Sequence, residues 1–447
     1  MNSMNVDSIR ANRTRAILAF SVPAIISMVL TSLINMADGF FMGNFIHKDA
    51  IAAVNLGLPI IYLFLATGLM VSVGGSVIAG MSIGRKDEES CRSVFSQTIA
   101  TCAVASVLLS VVMFFLLRTI LAVLGAEGDV AEYFLQYYTI LLFELPVMTV
   151  NASLGMFVRA EGRPQFYMAV TAFTCVLNIL LDWLFTVGFG FGVRGIAAAS
   201  LVSALLGFAF LLFYFAKKAR VFRFAKFRFR RIFRSTMLNG LSEFIGELSM
   251  CISIAAYNFV IMKRIGVDGV TAFTVVGYTT YVFSMVVCGF GQGMAPLASF
   301  VYGTKEKLLA RNLFTRTVLL VLAAGCATVA FVGFGSSLYS RIFVDDVAVQ
   351  QMIKSGILIF MWSYILCGLN AIASFYFTSI GKAKESAVIS SARGLVILLA
   401  AIFVLPAILG MNGVWLASSA TEILTLAITL FYLKKDRKEI DDAKQAE

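Results

Sequence analysis

The sequence predicts an all-α polytopic membrane protein, in which twelve transmembrane helices form two parallel six-helix lobes related by pseudo-twofold symmetry. Three observations predict this fold: the composition, the pattern of apolar segments and an internal repeat. Of the 447 residues, 60% are hydrophobic and only 14% are charged, whereas soluble domains carry about 25% charged residues. The mean hydropathy is +0.89. This composition excludes a soluble enzyme and a disordered chain, and it requires a lipid bilayer.

Twelve apolar segments are long enough to cross a bilayer, which takes about 20 residues of helix. Short polar clusters separate the segments, so that each half of the chain contains six of them. The predicted spans are 16–42, 51–83, 94–117, 131–157, 166–188, 193–216, 236–262, 270–301, 313–335, 350–378, 386–409 and 413–433.

Basic residues distinguish the two sides of the membrane. The net charge is +11, and 28 of the Lys and Arg residues lie at the termini and in alternate loops, against seven in the remaining loops. Because cytoplasmic loops of membrane proteins are enriched in Lys and Arg, this asymmetry predicts that both termini are cytoplasmic. We therefore expect a multi-pass protein of the cell membrane, and no nucleic-acid partner.

The segment 217–235, between the sixth and seventh spans, contains nine basic residues and no acidic ones, interleaved with Phe. Such a segment beside a membrane is typical of contact with anionic lipid headgroups. We interpret it as a cytoplasmic linker between an amino-terminal lobe, 1–216, and a carboxy-terminal lobe, 236–433. Residues 434–447 are expected to form a cytoplasmic tail.

The two halves of the chain match each other when the sequence is shifted by 219 positions. The shift aligns loop residues as well as spans, and it becomes 218 after one deletion. An even number of spans in each half predicts that both halves enter the membrane from the same side, as in transporters with parallel repeats. The matched pairs include Asp49 with Asp268, Lys86 with Lys305, Asn151 with Asn370, Gly162 with Gly381, Gly195 with Gly413 and Ser200 with Ser418.

Two acidic residues in apolar spans are candidates for cation binding, because a charge at a helix centre costs about 2.5–3.5 kcal/mol or more. Asp38 and Asp182 lie toward the outer ends of the first and fifth spans. Asn178 precedes Asp182 by four residues and shares its helical face, and Ser200 of the sixth span can join this group. Carboxylates with amide and hydroxyl neighbours can hold a proton or a small cation. A buried structural hydrogen-bond network is the alternative interpretation.

A second group of polar residues lies on the seventh span. Asn239, Glu243 and Glu247 recur every four residues and form one polar stripe, which is expected to avoid lipid and to face a cavity or the interface between lobes. An anionic cavity wall suits cationic amphiphiles, to which aromatic faces add about 0.5–2 kcal/mol. The alternatives are pairing with Arg393 or an interhelical hydrogen bond. Arg393 can also pair structurally with Glu422 across the last two spans.

Four segments carry recognisable motifs: "FSVPAIISMVLTSLINMADGFFMGNF" in the first span, "NILLDWLF" in the fifth, and "NGLSEFIGELSM" and "GFGQGMAPLASFVYG" in the second half. With these motifs the sequence resembles the multidrug and toxic compound extrusion (MATE) family over essentially the whole chain, and the bacterial branch with DNA-damage-inducible members is the most similar. The resemblance implies a cation-coupling role for Asp38, Asn178, Asp182 and Ser200, and a substrate or ion role for Glu243. The tenth span lacks the acid found in some members, which argues against a second cation site in the carboxy-terminal lobe.

We therefore expect an antiporter that exports organic, cationic amphiphilic compounds in exchange for protons or sodium ions. Sodium would bind at Asp38, Asn178 and Asp182. The chain is expected to be a monomer and a non-enzyme without a cofactor. The alternatives are a lipid-linked saccharide flippase of the same superfamily, or a membrane-embedded prenyl transferase. The latter needs paired Asp-rich metal motifs, which Asp345 and Asp346 alone do not supply.

Overall fold

The structure, a computed structural model, describes residues 5–226, 232–344 and 346–445; Asp345 and the linker residues 227–231 lie outside this description. Every regular element of the described residues is a helix. The sixteen α-helices are α1 Val6–Ala11, α2 Arg13–Phe45, α3 Lys48–Leu56, α4 Leu58–Gly84, α5 Glu88–Leu124, α6 Gly128–Ala160, α7 Pro164–Trp183, α8 Gly192–Phe213, α9 Ile232–Arg264, α10 Val267–Gly303, α11 Lys307–Phe343, α12 Val347–Phe360, α13 Trp362–Ser379, α14 Ala383–Ser391, α15 Ile397–Leu409 and α16 Met411–Gln445. Three π-helical turns extend α7 (Leu184–Gly188), extend α8 (Tyr214–Lys218) and join α14 to α15 (Ala392–Val396).

The prediction of twelve spans is confirmed. Eleven of the described helices are long and apolar enough to cross a membrane, and α12 with α13 forms a twelfth span that is bent by 44°. The bend divides the predicted span 350–378 at Met361. The hydropathy pattern misses this bend because the residues on both sides of it are apolar.

The predicted span 51–83 is also divided, at Gly57, into α3 and α4. A Cβ atom on Gly57 would lie 2.0 Å from the ring of Tyr138, so only glycine fits this position. The Tyr138 hydroxyl donates a 2.7 Å hydrogen bond to the carbonyl oxygen of Val54, in the last turn of α3. A buried tyrosine from α6 therefore occupies the break between the two helices.

The chain forms two compact units. Unit 1 contains Ile26–Phe244, and unit 2 contains Val6–Ile25 and Ile245–Glu447. This grouping differs from the division at the linker, because α2 and α9 each contribute residues to both units. The two changes of unit fall 219 residues apart, which is the length of the sequence repeat.

The repeat is visible in the backbone and hydrogen bonds of each unit. Lys86 and Lys305 are the only non-glycine residues of the described chain with positive φ, at 60° and 70°. The Asn151 side chain donates to the carbonyl oxygen of Ala204 at 2.9 Å, and its repeat mate Asn370 donates to that of Glu422 at 2.9 Å. Corresponding residues thus perform the same local task in both halves.

The first part of the linker is bound to unit 1. One carboxylate oxygen of Glu161 accepts hydrogen bonds from the backbone N–H groups of Arg220, Val221 and Phe222 at 2.8–3.1 Å. The Phe222 ring is fully buried and stacks on Phe95. This phenylalanine therefore anchors the linker in protein; the expected contact with anionic lipid remains a prediction.

The predicted tail at 434–447 is a continuation of α16 through Gln445 and not a separate segment. Asp436 is buried and forms ion pairs with Arg311 at 2.8 Å and Lys382 at 2.7 Å. Burial opposes the charge on Lys382, but its hydrogen bonds to Asp436 and Glu439 outweigh this effect and raise its pKa. These ion pairs hold the end of α16 on unit 2.

Candidate functional site

Unit 1 brings together the four residues that the sequence predicts for cation coupling. Asp38 comes from α2, Asn178 and Asp182 from successive turns of α7, and Ser200 from α8. Asn178 and Asp182 have no exposed surface, and Asp38 and Ser200 are less than a tenth exposed. Four side chains from three helices therefore meet in a buried polar site.

The contacts connect the four side chains in sequence. The Asn178 amide donates a 3.1 Å hydrogen bond to the Ser200 hydroxyl, and that hydroxyl contacts the Asp38 carboxylate. Asp38 and Asp182 lie close enough for their carboxyl groups to share one proton. With both groups ionised, neither oxygen of Asp182 has a hydrogen-bond donor.

Four oxygens of this site are enclosed and lack a donor: Oδ1 of Asp38, both carboxylate oxygens of Asp182 and Oδ1 of Asn178. Each buried acceptor without a partner costs about 1–3 kcal/mol. A completed structural network would satisfy these oxygens, so their number favours a binding site over the structural alternative. Hard cations prefer oxygen ligands, and a proton on either carboxyl group would also provide a donor.

Sequence reasoning missed two further residues of this region, Glu144 and Tyr137 of α6. Oε2 of Glu144 is enclosed and has no donor, and the carboxyl group interacts electrostatically with those of Asp182 and Asp38. Tyr137 lies seven residues before Glu144, on the same helical face, and its buried hydroxyl interacts with all three acids. An acid inside the predicted span 131–157 was the available signal.

A proline follows Glu144 by two residues and changes the hydrogen bonding of the helix. Pro146 has no N–H group, which frees the carbonyl oxygen of Leu142 from the helical hydrogen-bond pattern. The Ser110 hydroxyl of α5 donates a short hydrogen bond to this oxygen. The turn that contains Glu144 thus receives a hydrogen bond from a neighbouring helix.

The stripe on α9 is divided between the two units. Asn239 and Glu243 belong to unit 1, whereas Glu247 belongs to unit 2. Asn239 is buried, and the two glutamates are partly buried. A substrate role for these three residues stays a prediction.

Unit 2 contains a different polar centre, in which an arginine accompanies the acid. Arg393 donates to one carboxylate oxygen of Glu422 at 2.8 Å, and Asn370 donates to the other at 2.7 Å. Arg393 also contacts the sulfur of Cys367 at 3.0 Å. The predicted pairing of Arg393 with Glu422 is confirmed, so this acid already has a cation within the protein.

Within the residues that the structure describes, no group of three His, Cys, Asp or Glu side chains is arranged to hold a metal ion. The site in unit 1 is of another kind: its oxygens come from two carboxylates, an amide and a hydroxyl. Oxygens of these types suit Na⁺ as well as a proton, and either ion would be a transported substrate.

Comparisons with known proteins identify the class of protein that this fold represents. The MatE family model matches twice, at residues 23–184 and 244–403, which together cover most of the chain. The chain therefore belongs to the MATE family, whose members are transporters and not enzymes. The double match also confirms the internal repeat.

Two curated relatives are multidrug export proteins MepA, from Staphylococcus saprophyticus and Staphylococcus haemolyticus. Each is 24% identical to this chain and aligned over 97% of it and 96% of the relative. Among solved structures, an outward-facing multidrug resistance MATE transporter matches over 100% of both chains with a TM-score of 0.91 and 22% identity. A transporter of the MOP superfamily from Pyrococcus furiosus matches over 96% of both chains with a TM-score of 0.89 and 22% identity. These matches confirm the predicted fold class.

Proposed function

We propose that this transporter is an antiporter of the cell membrane, with both termini in the cytoplasm, that exports organic cations in exchange for protons or sodium ions. The observation that carries the proposal is the buried Asp38/Asp182 pair with its acceptor oxygens that lack donors. The names of the MepA relatives support multidrug export. No cofactor is required, because the ion gradient supplies the free energy.

Coupling follows from the electrostatics of the pair. Two carboxylates in a low-dielectric site repel each other, and a bound proton or cation removes that repulsion. The ion can drive transport only if its affinity differs between the two states of the cycle. A tenfold difference in affinity contributes about 1.4 kcal/mol to the equilibrium between these states.

The substrate is proposed to be a cationic amphiphile bound near Glu243. A carboxylate that is partly buried attracts a cation more strongly than one in water, because the dielectric constant around it is lower. Aromatic side chains add cation–π attraction of about 0.5–2 kcal/mol. We propose that the protein acts as a monomer and that its basic linker binds anionic lipid.

Transport of a fluorescent organic cation into inverted membrane vesicles tests this function. A pH gradient and a sodium gradient are imposed separately, and uptake is compared with that of vesicles containing Asp182→Asn. We expect at least one gradient to drive uptake by the wild type, and we expect gradient-driven uptake by the variant to be at least tenfold lower. Uptake that depends on neither gradient would contradict antiport. Transport of a lipid-linked saccharide in place of the organic cation would favour the flippase alternative.

A further inference from the structure

Glu144 is an acid for which the coupling site just described has no role. It lies at the midpoint of the 33-residue helix α6, whereas Asp38 and Asp182 lie near the ends of their helices. Its Oε2 atom is enclosed and has no donor. A carboxylate in this position is costly to maintain without a compensating positive charge.

One bound cation cannot serve all three acids of this region, Asp38, Glu144 and Asp182. Asp38 and Asp182 together form one cation-binding position, since their carboxyl groups are close enough to share a proton. Glu144 interacts with them electrostatically, yet no three acidic side chains in the described part of the chain are arranged around one ion. Glu144 therefore needs a positive charge of its own.

No resident cation provides that charge. Within the described ranges, Asp38, Glu144 and Asp182 form no ion pair with a basic side chain; in unit 2, by contrast, Arg393 lies 2.8 Å from Glu422. The titratable groups that interact electrostatically with Glu144 are Asp38 from α2, Asp182 from α7 and Tyr137 from its own helix. The first two are acidic and the third is a neutral phenol, so all neutralising charges must be mobile.

We propose that Glu144 is a second cation-carrying position, so that the transporter exchanges two monovalent cations for each substrate molecule. One cation binds at Asp38 and Asp182, and the other binds at Glu144. The inference rests on the proposed antiport function and adds its stoichiometry. The mobile cation can be a proton or a sodium ion, because a carboxylate accepts either.

The direction of transport against a fixed opposing gradient measures this stoichiometry. The full-length protein is reconstituted in liposomes with the membrane potential held at zero, and a cation gradient of about tenfold opposes a substrate gradient of about thirtyfold. If one cation is exchanged for each substrate molecule, the tenfold cation gradient is smaller than the substrate gradient, and the substrate moves down its own gradient. If two cations are exchanged, the driving ratio is about a hundredfold, and the substrate moves uphill, against its own gradient. The cation gradient is applied as a pH difference, as sodium, and as both together.

We expect uphill transport by the wild type, at least with both gradients together, and downhill transport by Glu144→Gln in every arm. Glu132→Gln is the matched control, because Glu132 lies on the same helix but is exposed and bonded to Gln136. This control should transport uphill like the wild type. Equal dispersity of the variants in detergent and equal rates of exchange without a cation gradient show that the fold is intact.

Three results would overturn the inference: downhill transport by the wild type in every arm, uphill transport by Glu144→Gln, or no flux in either direction through a folded Glu144→Gln protein. If that variant does not fold, the direction of wild-type transport still decides the stoichiometry. Wild-type flux that is unaffected by any cation gradient would instead contradict antiport itself, so failures of the two proposals are distinguishable.

Discussion

At the scale of single residues, the two units differ in the charges and hydrogen-bond donors that surround their buried acids. Asp182 has no exposed surface and no donor for either carboxylate oxygen, whereas Glu422 has donors from both Arg393 and Asn370. An acid that lacks a fixed partner can gain and lose a mobile cation, and an acid with a fixed arginine has no need of one. The proposed exchange of cations is accordingly assigned to unit 1.

Substitution of either aspartate should abolish coupling to the cation that binds at this pair, without unfolding the protein. Asp38→Asn and Asp182→Asn each remove one member of a pair that shares a cation, so each should lower gradient-driven transport by at least tenfold. The double variant should be no worse than either single one, because the site is already disabled. Asp129→Asn, an exposed acid in the first turn of α6, is the control and should transport normally. Full gradient-driven transport by Asp182→Asn would remove that residue from the mechanism.

The charge of Glu243 should select among substrates. Glu243→Gln removes a negative charge with little change in shape, so export of monovalent organic cations should fall several-fold more than export of neutral compounds. Initial rates for a matched pair of cationic and neutral dyes measure this difference. An equal loss for both dyes would indicate that Glu243 acts in folding or coupling instead.

The pair formed by Arg393 and Glu422 should contribute to stability. Loss of one partner leaves the other charged and largely buried, which costs about 3 kcal/mol or more. Arg393→Gln and Glu422→Gln should therefore each lower the thermal unfolding midpoint in detergent. The double variant should recover much of the loss, because it leaves no unpaired charge. Additive losses in the double variant would show that the two charges do not depend on each other.

Four of the residues in the unit 1 site could be predicted from the sequence, because Asn178 and Asp182 share a helical face, Asp38 is an acid in an apolar span and Ser200 is a polar residue of the sixth span. The resemblance to a family added the cation-coupling role of this group. Glu144 could not be assigned in the same way, since a single acid in a span does not reveal which helices surround it. Only the packing of α2, α6 and α7 brings the three acids into one electrostatic environment.

At the scale of elements, glycines set how closely helices approach each other. A Cβ atom on Gly240 of α9 would lie 1.7 Å from the carbonyl oxygen of Met70 in α4, and one on Gly74 of α4 would lie 2.0 Å from that of Thr236. The two helix backbones are therefore in direct contact within unit 1. This contact fixes the part of α9 that carries Asn239 and Glu243.

Alanine at Gly240 should force α9 away from α4. The obstacle is a backbone carbonyl group, which cannot rotate away, so Gly240→Ala should destabilise the fold by about 1–3 kcal/mol or more. Gly246→Ala on the same helix is the matched control, because its Cβ would meet nothing within 4 Å. Thermal unfolding in detergent should show a lower midpoint for the first variant only. Equal midpoints would mean that the helices can separate without cost.

Most helices could be predicted from hydropathy, since each span is an apolar run between polar clusters. The breaks at Gly57 and Met361 could not, because neither interrupts the apolar pattern. At Gly57 the cause is a side chain 81 positions later in the chain, Tyr138, which occupies the space of a Cβ atom. Tertiary contacts of this kind are invisible to a local pattern.

At the scale of the whole molecule, the repeat organises both halves. The same family model matches each half, and the repeat mates Gly162 and Gly381 share positive φ values of 83° and 78°. The chemistry nevertheless differs, because the position of Glu422 in the second half is occupied by Ala204 in the first. The repeat therefore preserves the helical framework, while substitutions within it give each unit its own charges.

The orientation of this framework in the membrane can be tested with single cysteines. An even number of spans in each half predicts that Asp49 and Asp268 occupy equivalent outer loops, and that Lys86 and Lys305 occupy equivalent cytoplasmic loops. All four side chains are at least partly exposed, so their reactivity reports the side of the membrane and not burial. In a background without the seven native cysteines, cysteines at Asp49 and Asp268 should react with an impermeant thiol reagent added to intact cells. Cysteines at Lys86 and Lys305 should react only after the membrane is opened, and labelling of Asp49 and Asp268 from opposite sides would mean that the repeat is inverted.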